Sequence, residues 1–124
     1  SSATKMKLIN NLCLGSFMAT LAECTALAES CEIPKAKALE ILGVGGGQSL
    51  VLKAKTQKLI DEDFSAHFSN NAINKDLHLL QDLAYNLKLP LYSACVPKEL
   101  FSKMKMMGKG EEDFSSIYQL FKNV

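Results

Sequence analysis

The absences in this chain narrow its reading first. Its four cysteines, Cys13, Cys24, Cys31 and Cys95, form no Cys-x-x-Cys pair and mostly sit inside apolar helical pattern. They are expected to be reduced core residues of a cytoplasmic protein, or one of an organelle matrix, rather than disulfide partners. No charge sign dominates: the net charge is +1 with acids and bases interspersed, which gives no electrostatic argument for nucleic acid or a membrane surface. His67 and His78 stand eleven apart, without the helical spacing or cysteine neighbours of a zinc site. They read as surface or rim residues, and no metal is expected. There is no nucleophile elbow, and no grouping of Ser, His and Asp reads as a triad. No segment alternates with a period of two, so strands are not expected. No signal peptide is visible, and the chain opens abruptly inside helical pattern, as a fragment would.

One glycine cluster, Gly43 to Gly47, invites a phosphate-loop reading. A dinucleotide fingerprint needs a strand before it and G-x-G-x-x-G opening a helix. Here a helix precedes, Gln48 stands in the last glycine position, and no Gly-Lys-Ser/Thr follows. The cluster reads as a flexible helix-to-helix connection.

What is present is helical. At 124 residues with 48% apolar content, the chain suffices for one domain with a core. Lys5 to Glu29 forms the organising helix, with no Lys or Arg from Leu8 to Pro34 and apolar residues on nearly every face. Such a helix must be surrounded by others. Asn10, Asn11, Ser16, Thr20 and Glu23 interrupt it too often for a membrane span. Pro34 suits the first position of a helix continuing from Lys35 to Leu42, with Gly43 as a left-handed stop. Leu50 to Ile60 is helical, polar on one side through Lys53, Gln57 and Lys58, and ended by Asp61-Glu62-Asp63. Phe64 to Asn71 reads as a turn region. Ile73, Leu77, Leu80, Ala84 and Leu87 then step by four and three along one helix face, with Lys75 and Asp76 off that stripe. Leu91 to Met107 reads as helical, Pro97 kinking it or starting its second half, with Gly108 and Gly110 ending it. Met104, Met106 and Met107 read as core and rim packing. Asp113 is a good N-cap for a last amphipathic helix through Phe114, Ile117, Tyr118 and Phe121. The fold class is all-α, six or seven helices round one long buried N-terminal helix.

One polar constellation stands out. Lys7, Asn10 and Asn11 lie three and four residues apart, so they share one face at the mouth of the first helix. They are either a helix start frayed into solvent, or a proton donor with an asparagine one turn on that holds a substrate oxygen. A lysine does acid–base work when partial burial lowers its pKa toward the working pH. Lys75-Asp76 alone reads as a solvated polar face.

Taken together these residues resemble the C-terminal domain of the β-hydroxyacid dehydrogenases, the family of 3-hydroxyisobutyrate dehydrogenase, tartronate semialdehyde reductase and glyoxylate/succinic semialdehyde reductase. Its long helix opens with Gly-x-x-x-Lys-x-x-Asn-Asn, and Ala3 to Asn11 matches with Ala3 in place of the glycine. Its Phe-x6-Lys-Asp-Leu signature matches Phe68 to Leu77, and Leu89-Pro90-Leu91 and Asp113-Phe114-Ser115 resemble later landmarks. The resemblance spans essentially the whole chain. It implies a fold like the helical domain of 6-phosphogluconate dehydrogenase-like enzymes, and a two-domain enzyme whose N-terminal Rossmann domain lies outside residues 1–124. Lys7 would hold the proton exchanged with the substrate's carbonyl oxygen. Asn11 and Asn10 would hold the substrate, a small hydroxyacid or semialdehyde. Lys75 would reach NAD or NADP near its nicotinamide end. The cofactor would bind mainly to the other domain, so this chain alone is expected to be inactive. The first helix, apolar on all sides, exceeds what the short helices can wrap, so a two-fold helix-on-helix contact with that helix near its centre is expected. The resemblance adds that related enzymes form homodimers or tetramers largely through this domain. The alternative is a non-catalytic oligomerisation scaffold derived from the same family.

Overall fold

The computed structural model describes residues 1–122. Five α-helices and one 3₁₀ helix follow in order: α1 (Ser2–Ser30), α2 (Lys35–Leu42), α3 (Leu50–Asp61), α4 (Asn70–Asn86), α5 (Cys95–Met106) and the 3₁₀ helix η1 (Phe114–Leu120). The all-α expectation holds, and among the described residues the only β-type pairing is an isolated bridge between Ser69 and Asp113.

α1 begins where Ser1 caps it, its hydroxyl accepting the Thr4 N–H at 3.2 Å. Every other element packs on it. By length and composition alone it could cross a bilayer. It instead buries Asn11 and Thr25 against its own chain, as a core helix does. Its buried face steps through Asn11, Gly15, Met18, Ala22 and Ala26 at helical spacing. The small residues there let neighbours approach closely: a Cβ on Gly15 would stand 3.2 Å from Leu77 and 3.4 Å from Ile73. The wrapping is one-sided, however. Met6, Ile9, Phe17 and Leu27 remain exposed, Leu27 by 66%. The helix is apolar all round in sequence, but the five shorter elements cover only one side.

Local signals account for most boundaries. Ser49 caps α3 and Ser69 caps α4, each accepting the N–H three residues on. Glu62, at φ 52°, ends α3, and Gly108, at φ 78°, follows α5. Gly43 is not left-handed: its φ of −68° keeps it helical, because Val44 and Gly45 continue the turn by bonding back to Ile41 and Leu42. α2 starts at Lys35 with Pro34 just outside it. α5 starts at Cys95 rather than Leu91. That puts Pro97 in its first turn, where a missing N–H costs nothing. The last element is a 3₁₀ helix rather than an α-helix, and its Phe114, Ile117 and Tyr118 are fully covered.

The core joins Met18, Leu39, Leu59, Ile73, Phe101 and Tyr118 from all six elements. Leu87, expected on the α4 stripe, caps the helix and is exposed. Met104 is buried, whereas Met106 is 84% exposed. The cysteines are free thiols but not core residues: Cys13, Cys31 and Cys95 are exposed and Cys24 is half-buried. Both histidines are exposed. Lys58, read as solvated, is buried and donates to the Ser65 carbonyl at 2.6 Å, clamping the turn after α3.

Candidate active site

Lys7 and Asn11 lie one turn apart on α1, so both side chains fall beside the same neighbour. That neighbour is Asp76 of α4. The Asn11 amide donates to Asp76 Oδ2 at 2.7 Å, and Lys7 Nζ stands 3.8 Å from the same oxygen. Asp76 is buried, contrary to the solvated polar face read from Lys75-Asp76. The reason is its neighbours: Ile73 and Leu77 seat α4 against Gly15, and Asp76, adjacent to Leu77, is carried inward with them.

The geometry sorts the candidate residues. Asn11 is buried and its orientation is fixed, because a carboxylate can only accept and the amide must offer its Nδ2. Its Oδ1 is then left to meet a donor such as a hydroxyl. Lys7 has its side chain 65% exposed and touches Asp76 only at ion-pair distance, which leaves its ammonium able to turn to a ligand. Asn10 diverges from this pair. One residue round the helix, it is exposed at the mouth of a groove of about 560 Å³ between α1 and α3. Lys75 stands exposed on α4, one residue from Asp76 but on another face. The structure thus joins Lys7 and Asn11 through Asp76, and leaves Asn10 and Lys75 beside that cluster.

A second buried polar cluster supports the first. Asp113 accepts from Lys55 Nζ at 3.0 Å, from the His67 and Phe68 N–H groups at 3.0 Å each, and from the Ser115 N–H and hydroxyl. Burial pushes its carboxyl up, but the bonds from Ser115, Phe68, Lys55 and His67 outweigh that and hold it below the ordinary 3.8. This cluster fixes the turn through Phe68 and Ser69 from which α4, and with it Asp76, departs. Sequence reasoning saw Asp113 as a cap and as part of the Asp113-Phe114-Ser115 landmark, but not as the partner of Lys55, which it missed. The signal for Lys55 was there: it follows Val51 and Leu52 at helical spacing on the buried face of α3.

The site thus consists of a lysine, an asparagine one turn on and a buried carboxylate behind them, carried on an all-α domain. A family model described as "NAD-binding of NADP-dependent 3-hydroxyisobutyrate dehydrogenase" matches residues 1–121, so the chain belongs to that family. It is 32% identical over 120 residues to 2-(hydroxymethyl)glutarate dehydrogenase of Eubacterium barkeri, covering 96% of this chain and 40% of that relative. It is also 32% identical over 120 residues to the cytokine-like nuclear factor N-PAC of Homo sapiens, covering 97% of this chain and 22% of the relative. A crystal structure of 3-hydroxyisobutyrate dehydrogenase from Salmonella typhimurium superposes with a TM-score of 0.88 at 29% identity, over 93% of this chain and 40% of that one. The chain therefore spans two fifths or less of these relatives.

Proposed function

We propose that this chain is the substrate-side helical domain of an NAD(P)-dependent oxidoreductase that interconverts a small β-hydroxyacid and its semialdehyde. The carrying observation is the tether of Lys7 and Asn11, one turn apart, to the buried carboxylate of Asp76. The exposed ammonium groups of Lys7 and Lys75 suit the anionic groups of a dinucleotide. The described residues include no strand-loop-helix cradle for its phosphates, so it is held mainly by another domain. The cofactor, when bound, supplies or accepts the hydride. Lys7 gives a proton to the carbonyl oxygen as the semialdehyde is reduced, and takes it back from the hydroxyl in the reverse direction. Asn11 presents its Oδ1 to a substrate hydroxyl, and Asp76 keeps both groups in register. Asn10 borders the same substrate. In full-length enzyme with cofactor and a panel of semialdehydes, Lys7→Ala is expected to lose roughly 10²–10⁴-fold in rate. Full rate in that variant refutes the proton role.

A second role, self-association, is favoured by the uncovered side of α1. Met6, Ile9, Cys13, Phe17, Thr20, Cys24 and Leu27 recur there by threes and fours, mostly exposed and free of charge. That spacing suits the seam of a helix pair, and a second copy related by a two-fold axis is the natural cover. It would serve an enzyme dimer or a non-catalytic scaffold alike, and the Lys7 experiment separates those two. Sedimentation at tens of micromolar should give a dimer or tetramer, reduced to monomer by Ile9→Glu with Leu27→Glu. A monomeric mass in the unsubstituted chain counts decisively against it.

A further inference from the structure

Of the residues one turn from Asp76 on α4, all but one are taken up by the fold. Ile73 and Leu80 are buried and Ala72 is half-buried, whereas Leu79 is 44% exposed. Residues three apart on a helix are neighbours, so Leu79 borders the carboxylate that meets Asn11 and Lys7. Lys75 lies one turn back from Leu79 on the same outward flank. It is exposed and has no acidic partner among the described residues. His78 is exposed as well, but at about 100° per residue it falls about 160° from Asp76, on the far side of α4. Beside the Lys7 cluster, α4 therefore offers solvent an apolar side chain and, one turn away, a free ammonium.

That pairing fits the reacting end of a nicotinamide dinucleotide. Hydride passes only between atoms held about 3–3.5 Å apart, so a ring that gives hydride here has to be supported beside Lys7. The faces of such a ring are apolar and the chain behind it is anionic. Leu79 suits the first and Lys75 the second, whereas Lys7 and Asn11 are polar and offer a ring face no apolar support. We infer that Leu79 seats the nicotinamide ring beside Lys7. The inference rests on the substrate-side reading of the Lys7 cluster and adds a cofactor-contact residue to it. Leu79 supports the ring and keeps water from it, Lys75 meets the anionic chain, and the proton stays with Lys7.

The test uses the full-length enzyme, labelled at its leucine methyl groups, with NADH or NADPH bound and no substrate present. Cross-relaxation between the Leu79 methyls and the nicotinamide ring protons is the expected signal. Leu79→Asp should weaken cofactor binding about tenfold, the worth of one leucine contact. Leu79→Met keeps an apolar contact of similar volume and should bind as the unsubstituted enzyme does. Leu79 is on the surface, so Leu79→Asp should leave the urea midpoint near its original value, and lost binding is then not lost fold. Leu87→Asp, at the exposed end of the same helix, should change nothing. Bound cofactor without that cross-relaxation, unchanged affinity in Leu79→Asp, or an equal loss in Leu87→Asp overturns the inference. In Lys7→Ala the cross-relaxation and the affinity should persist while turnover falls. Full turnover there would refute the proton role and leave the seat at Leu79 standing, so the two are read separately.

Discussion

Removing the Asp113 carboxylate should do more damage than any other single polar deletion in this domain. Asp113 is fully buried and serves five donors. In Asp113→Ala the Lys55 ammonium, itself buried, is left without its counter-charge, and breaking such a pair from one side costs about 3–5 kcal/mol. The two N–H groups of the turn before α4 lose their acceptor as well, though these losses overlap and do not simply add. A loss of about 4 kcal/mol consumes much of the 5–15 kcal/mol typical of a domain. It corresponds to a fall in Tm of roughly 15 °C at this size. The decisive measurement is a urea-unfolding cycle with Lys55→Met. That substitution removes the orphaned charge and puts an unbranched apolar side chain beside Phe114, whose ring the ammonium approaches at 5.3 Å. The double variant should therefore be at least about 2 kcal/mol more stable than the sum of the singles predicts. Additive losses, or a cost below about 1 kcal/mol for Asp113→Ala alone, would show that the pair does not hold α4 in place.

Two further outcomes follow from the same region. Asp113 and Glu62 both titrate below their ordinary values of 3.8 and 4.5, Glu62 because Lys122 and then Lys35 bond its carboxylate. A lowered carboxyl contributes stability in full above its unfolded value and loses it as pH falls through the folded one. Unfolding free energy should thus be flat above about pH 5 and drop progressively below about pH 4, with a shallower fall in Asp113→Asn; a flat profile down to pH 2.5 contradicts this. Gly110→Ala would set a Cβ 2.2 Å from Asn71 Oδ1 and 2.6 Å from its Cγ, so the Asn71 side chain must swing away from Glu111. That should cost roughly 1–3 kcal/mol, whereas Gly46→Ala, which meets nothing within 4 Å, should be close to neutral; equal effects of the two would refute the packing argument.

Much of the fold was legible because its signals are local. Asp113 caps a helix and Gly108 follows one, as their residue types indicate, and the run Ile73, Leu77, Leu80 and Ala84 shows the buried face of α4 in sequence alone, whereas the caps at Ser49 and Ser69 went unread beside stretches taken as connection and turn. The misreadings arose where tertiary context overrode local pattern. Cys13 and Cys31 looked like core residues because they interrupt apolar sequence, but α1 has more apolar circumference than its own chain covers. Gly43 looked like a stop because glycine favours positive φ, yet the chain needed only to continue its turn there. Lys58 looked solvated because lysine is rarely buried, but carbonyls gathered by the turn after α3 gave its ammonium somewhere to go.

The site shows the same division more sharply. Lys7 and Asn11 could be paired by spacing, since residues one turn apart on a helix must neighbour each other. What holds them could not, because Asp76 lies 65 positions from Asn11 and reads as solvent-facing in its own helix. Its burial follows only when Gly15 is seen to bring α4 close enough for Ile73 and Leu77 to seat against α1. Once that contact exists, Asp76 must enter the interface with them, and a carboxylate there is tolerable because Asn11 and Lys7 meet it. The missing side chain on α1 and the polar triplet above it are thus one device. A larger residue at position 15 would separate the helices and release Asp76 from Asn11 before it disturbed the rest of the core.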